Sequence, residues 1–99
     1  MAKRKIVWSD RAQKRLYGIL EFYIQRNKSN AYSQKLHKLL IREVKILLKH
    51  PDIGLKTTEE TVRGLIIDNF IVYYQITDDK IIIHTIWDCR QDPDSKIII

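Results

Sequence analysis

The last third of the chain dictates what it can fold into. Residues 62–88 hold three apolar runs, VRGLIID, FIVYYQI and KIIIHTIWD, parted only by Asp68–Asn69 and by Thr77–Asp78–Asp79. Runs this rich in β-branched and aromatic residues are strand-forming, because such side chains pack well on a pleated surface. Breaks this short join antiparallel neighbours, since a parallel crossover needs a dozen or more residues. The pattern therefore predicts an antiparallel meander.

A meander leaves one face to be covered, and the first half of the chain supplies the cover. KIVW (5–8) reads as a short first strand. Ser9 follows as an N-cap, with Asp10 placed where the helix dipole favours an acid. Ala12, Leu16, Ile19, Leu20 and Tyr23 then recur at helical spacing, predicting a helix over about 10–27. NKSN (27–30) interrupts the pattern, and Ser29 offers a second cap. Leu36, Leu40, Val44, Leu47 and Leu48 predict a second helix over about 30–49, which Pro51 prevents from extending. The polar stretch HPDIGLKTTEET (50–61) leads into the strands. The order is β-α-α-β-β-β: an α+β domain spanning residues 1–99, with a helical hairpin packed on one face of an antiparallel sheet.

Charge is unevenly divided. Residues 1–49 carry 13 Lys/Arg against Asp10, Glu21 and Glu43, whereas residues 50–99 carry five against nine acids. A basic half of this kind suggests an acidic or polyanionic partner. In the second helix Lys35, Lys38, Arg42, Lys45 and Lys49 fall on one stripe, nearly opposite the apolar one. Such a stripe is either a solvated outer face or a contact surface for a target or partner protein. Cys89, the one cysteine, has no intramolecular partner, so a reducing compartment is expected. No apolar run approaches a bilayer span, and a cytoplasmic protein without a membrane association is expected. Neither metal-ligand spacing nor a Gly-rich phosphate loop occurs, so no metal or cofactor is expected.

Strict alternation along the last strand puts Ile81, Ile83, Thr85, Trp87 and Cys89 on one face and Ile82, His84, Ile86, Asp88 and Arg90 on the other. With the Trp87 face assigned to the helices, His84, Asp88 and Arg90 project from the open face. His84 and Asp88 stand roughly 13 Å apart on an extended strand, too far to form an acid–base pair. Arg63, at the start of the VRGLIID run, can lie beside the open face or bond the loop backbone. Tyr73 and Tyr74 point to opposite faces, one into the core and the other accessible.

The whole pattern resembles the RelE/ParE family of small bacterial toxins from type II toxin–antitoxin modules. The resemblance rests on IVWSDRAQKRL (6–16), LLKHPDIG (47–54), VRGLIIDNFIVYYQI (62–76) and IIIHTIWDCRQDP (81–93). It implies a compact α+β toxin held inactive by a labile antitoxin, here expected to be acidic and encoded adjacently, with which it forms a hetero-oligomer. RelE-like members cut messenger RNA on the ribosome without metal, using cations to stabilise a charged phosphorane. ParE-like members poison DNA gyrase without a catalytic set. Arg90 matches the family's arginine just after the last strand, and Arg63 matches the arginine common at that point in ParE-like sequences. Arg90, Arg63 and His84 are thus the candidate catalytic residues of a ribonuclease. Lys35, Lys38, Arg42, Lys45, Lys49 and Asp88 are the candidate contacts to a target or antitoxin. Ile66 and Ile67 stand where RelE-like ribonucleases tend to place an arginine, and no Tyr or His follows Arg90 in QDPDSKIII. The ParE-like branch is therefore favoured, with the ribonuclease as the alternative.

Overall fold

A computed structural model describes residues 3–90. In chain order the elements are β1 (Lys5–Trp8), α1 (Asp10–Asn27), α2 (Ala31–Lys45), a 3₁₀ turn (Ile46–Leu48), β2 (Leu55–Lys56), β3 (Val62–Ile67), β4 (Phe70–Ile76) and β5 (Lys80–Asp88). The helical hairpin covers one face of a five-stranded sheet of order β1-β5-β4-β3-β2. The predicted meander is β3-β4-β5, all antiparallel. Two features depart from the sequence reading. β1 lies parallel to β5, with Lys5 opposite Lys80 and Trp8 opposite Ile83; the chain between them passes through the helical hairpin to the far edge of the sheet and returns through β2, β3 and β4. The loop before the meander also contributes β2, a short edge strand on β3.

The helices form for the local reasons their sequences suggest. The Ser9 hydroxyl accepts the Ala12 N–H at 3.0 Å, which satisfies one of the donors left free in the first turn of α1. Lys28 adopts a left-handed conformation at φ 56° to end that helix. Ala31 N–H reaches the Ser29 hydroxyl at 3.2 Å, although Asn30 is the residue in the capping position of α2. The second helix is shorter than predicted, because its last turn tightens to 3₁₀ at Ile46–Leu48 before Pro51.

Ala12, Leu16, Ile19 and Tyr23 of α1 and Leu36, Leu40 and Val44 of α2 meet Ile67, Phe70, Val72, Tyr74, Ile81, Ile83 and Ile86 in one core. Burying each large aliphatic side chain there contributes on the order of 1.5–3 kcal/mol relative to leaving it exposed. Tyr74 enters this core as one of the two tyrosines must. Its neighbour Tyr73 points away from the helices, but it is also buried rather than accessible.

The alternation of β5 is broken in the middle. Tyr73 pairs with Thr85, but Tyr74 pairs with Ile83, so the bulge inserts His84 as an extra residue. Ile81 and Ile83 face the helices as expected. Beyond the bulge the phase inverts, and Ile86 and Asp88 turn inward while Trp87 faces the other way. The expected assignment of Trp87 to the helix face and of Asp88 to the open face is thereby reversed. Because β1 stops opposite Ile83, the edge of β5 past this point has no strand neighbour. Its carbonyls are met by side chains instead: the Ser9 hydroxyl donates to His84 O at 3.1 Å, and Arg15 Nε donates to Ile86 O at 3.2 Å. The Arg15 guanidinium also lies 5.8 Å from the Trp87 ring centre.

Candidate functional site

The inverted phase creates a polar centre where β5 leaves the sheet under the tip of the hairpin. Asp88 is only 1% exposed, yet it sits in a polar setting. Its Oδ2 accepts the Tyr23 hydroxyl at 2.6 Å, and its Oδ1 accepts the Arg90 backbone N–H at 2.9 Å. A buried carboxylate needs such donors, since desolvating it without partners costs several kcal/mol. Burial, reinforced by the hydrogen bond to Asp88, pushes the Tyr23 phenol up to about 12.

Arg90 closes over this pair. Its guanidinium carbon lies 4.9 Å from the Tyr23 ring centre, 5.5 Å from Phe70 and 5.7 Å from Tyr32. One terminal nitrogen donates to the Tyr32 hydroxyl at 2.6 Å, and Nε stands 3.8 Å from Asp88 Oδ1. The hydrogen bond to Tyr32 is the largest influence holding the guanidinium above its ordinary pKa, with burial pulling the other way. Around the free side of Arg90 lies a cleft of about 310 Å³ lined by Tyr23, Arg26, Asn27, Tyr32 and Arg90. The arrangement fixes one planar cation on aromatic rings and leaves its outer edge open. That suits recognition of an anionic or planar group.

Arg63 and His84 are elsewhere. Arg63 lies near the start of β3 opposite Tyr74, whereas Asp88 pairs with Phe70 at the other end of β4, so Arg63 and Asp88 are four residues of strand apart, roughly 13 Å, and Arg90 lies two residues beyond Asp88. Arg63 takes the loop-bonding role: it donates to Gly54 O at 3.0 Å and Asp52 O at 3.3 Å, and it pairs loosely with Asp52 at 3.8 Å. Tyr74 fastens the same loop, donating to Pro51 O at 2.6 Å and accepting the Gly54 N–H at 2.9 Å. A Cβ on residue 54 would stand 2.5 Å from that hydroxyl, so the IG end of LLKHPDIG requires glycine on grounds of space. Burial raises the Tyr74 pKa, although the Gly54 N–H and Arg63 oppose it. His84, the bulge residue, has its Nε2 2.9 Å from Gln75 Oε1 and is half-buried. The three candidate catalytic residues thus do not converge on one point.

Lys35, Lys38, Arg42, Lys45 and Lys49 are all exposed. The first four lie on α2 itself, and Lys49 follows the 3₁₀ turn, outside the regular helical spacing. Cys89 is half-buried and donates its backbone N–H to Asn69 O at 2.9 Å. Among the described residues no cluster of His, Cys, Asp and Glu could hold a metal ion, and no helix is long and apolar enough to cross a membrane.

The family model for the ParE toxin of type II toxin–antitoxin systems, parDE, matches residues 6–93. The chain belongs to this ParE toxin family. Its fold is similar to that in the chromosomal ParDE toxin–antitoxin system from P. aeruginosa, at a TM-score of 0.75 and 19% identity, covering 85% of this chain and 94% of that one. It is also similar to the E. coli DinJ–YafQ toxin–antitoxin complex, at a TM-score of 0.57 and 13% identity, covering 91% and 97% of the two chains. Among curated proteins no significant sequence match is found.

For this ParE-family toxin, sequence reasoning singled out Arg90 but missed what surrounds it. Tyr32 went unremarked and Tyr23 read only as a core residue. The available signal was an aromatic at each side of the hairpin turn, Tyr23 closing the apolar stripe of α1 and Tyr32 opening α2. Both positions are brought over the C-terminal end of β5 by the helical hairpin.

Proposed function

We propose that this toxin inhibits growth by binding DNA gyrase, without catalysis of its own, and is neutralised by a cognate antitoxin. The observation that carries this reading is the scattering of Arg90, Arg63 and His84. A metal-free ribonuclease needs a base, an acid and cationic stabilisation aimed at one phosphate. Here Arg63 is spent on the 51–54 loop, His84 is engaged by Gln75, and Arg90 is packed among rings. The ParE family assignment supports the gyrase branch over the ribosomal one. The two similar structures, each described as a toxin–antitoxin system or complex, support an antitoxin as the partner.

The test is to add purified toxin to gyrase with supercoiled DNA and, separately, to a translating ribosome extract. Accumulation of cleaved DNA–gyrase complexes with intact messenger RNA is expected. Cleavage of translated messenger RNA with gyrase unaffected would overturn the proposal and restore the ribonuclease alternative.

A further inference from the structure

The cleft beside Arg90 holds a second cation that the fold does not employ. Tyr23, Arg26 and Asn27 stand at i, i+3 and i+4 on α1 and therefore share one face of its last turn. Arg26 sits about 4.5 Å further along the axis than Tyr23, on whose ring the Arg90 guanidinium rests. A cation in the last turn of a helix is favoured by the dipole wherever it points. This one shares with Arg90 the lining of a single cleft of about 310 Å³. Among the described residues Arg26 makes no hydrogen bond and no ion pair. Arg90 commits one terminal nitrogen to the Tyr32 hydroxyl and keeps Nε near Asp88, which leaves the other terminal nitrogen without an acceptor among the described residues.

We propose that this cleft binds the terminal phosphate of a nucleotide, with Arg26 and Arg90 forking its oxygens and the base lying against Tyr32. The charge balance supports an anion. No acid lines the cleft; Asp88 offsets part of the Arg90 charge from beneath, and Arg26 has no such counter-ion. α2 also begins at this rim, with Tyr32 as its second residue. Asn30 makes no side-chain cap there and the first turn carries no acid, so the partial positive charge of the helix start is left uncompensated. Planar guanidiniums match phosphate oxygens two at a time, and a phosphate monoester carries up to two negative charges to satisfy both. Size supports a nucleotide over a lone oxyanion. The cleft lies at the small end of ligand pockets, about 300–1,000 Å³, and a bare phosphate would leave most of it empty. The half-buried Tyr32 ring offers a stacking surface for the base. This is a binding site with no chemical step, and it holds whether or not gyrase is the target.

The test is isothermal calorimetry on the full chain with adenosine 5′-monophosphate, and with adenosine, inorganic phosphate and glutarate as controls. The nucleotide should bind roughly tenfold or more tightly than any control. Arg26→Gln should weaken it about tenfold with unchanged circular dichroism, because the side chain is exposed and unpaired. Arg11→Gln, the same change elsewhere on α1, should alter it less than about twofold. Arg90→Lys, which keeps the charge but loses the fork, should also weaken binding. The lining contains no histidine or carboxylate, so a pH series reports on the ligand: affinity should rise between about pH 5.5 and 7.5 as the phosphate loses its second proton. A short single-stranded oligonucleotide with and without a 5′-phosphate separates the sources. A phosphate-dependent oligonucleotide tighter than the mononucleotide identifies a strand end, and the reverse order a free nucleotide; either supports the site. Equal losses in Arg26→Gln and Arg11→Gln would reduce the effect to diffuse positive charge and overturn the proposal. Glutarate binding as tightly as the nucleotide, or no binding by any phosphorylated probe, would overturn it as well.

Discussion

Replacing Tyr23 by Phe isolates the bond on which the polar centre depends. The ring's contacts survive the change: edge-to-face packing on Phe22 at 4.9 Å and on Tyr32 at 5.1 Å, and the Arg90 guanidinium at 4.9 Å. Only the hydroxyl is lost, and with it a 2.6 Å hydrogen bond to the carboxylate of Asp88 in a buried setting. Hydrogen bonds to charged groups contribute about 1.5–3 kcal/mol, and an acceptor stripped of its donor in the interior costs toward the upper end. We expect Tyr23→Phe to lower unfolding stability by about 2 kcal/mol. For a domain of this length that corresponds to a fall in Tm of roughly 8–16 °C. Tyr32→Phe is the internal control, because its hydroxyl meets Arg90 in an exposed position and its loss should cost less than about 1 kcal/mol. Urea titrations followed by circular dichroism, with equal m-values, give both numbers. If Tyr23→Phe proved no more costly than Tyr32→Phe, the inference that Asp88 is held inside the fold by Tyr23 would be refuted.

Two further outcomes follow from the remaining tyrosine contacts. Tyr74→Phe should cost about 1–3 kcal/mol in the same urea assay by freeing the Pro51 carbonyl and the Gly54 N–H, and Gly54→Ala should cost at least as much, because its Cβ would press on the Tyr74 hydroxyl at 2.5 Å. Ultraviolet titration of tyrosinate should find Tyr23 ionising near 12 and Tyr74 above its ordinary value; because Tyr23's folded pKa is raised, its contribution is whole below the unfolded value near 10 and is lost as the pH climbs through 12. A tyrosine titration complete by pH 10.5 in the folded protein would contradict that burial.

The helical hairpin was legible because its signals are local. Ser9 caps α1, apolar residues recur every three or four positions, and Pro51 forbids continuation, so boundaries fell within a few residues. The meander was legible because two short breaks leave antiparallel pairing as the one arrangement. What escaped was non-local. KIVW reads as a strand, but its parallel seat depends on where the returning chain delivers β5. β2 is two residues long and exists because Arg63 and Tyr74 hold the preceding loop against β3. The 3₁₀ turn also moved Lys49 off the regular stripe, although residues 31–49 contain no glycine to announce a change of helix.

The bulge at His84 had the largest consequence. Residues 81–83 and 86–87 are apolar on both faces of the strand, so strict alternation could not reveal a change of phase, and no glycine marks the extra residue. Yet a single inserted residue carries every later side chain to the opposite face. It turns Asp88 from a surface acid into a buried acceptor for Tyr23 and sends Trp87 out to meet Arg15. It also brings the chain at Arg90 back beneath the hairpin, where three aromatic rings fix its guanidinium. Without the bulge, Asp88 and Arg90 would stand together on the open face, within reach of a substrate phosphate and nearer the side that His84 occupies. With it, Arg90 is tied to the helices. The same residues that suggest an active site in the sequence become, by a one-residue shift, the joint between helix tip and sheet end.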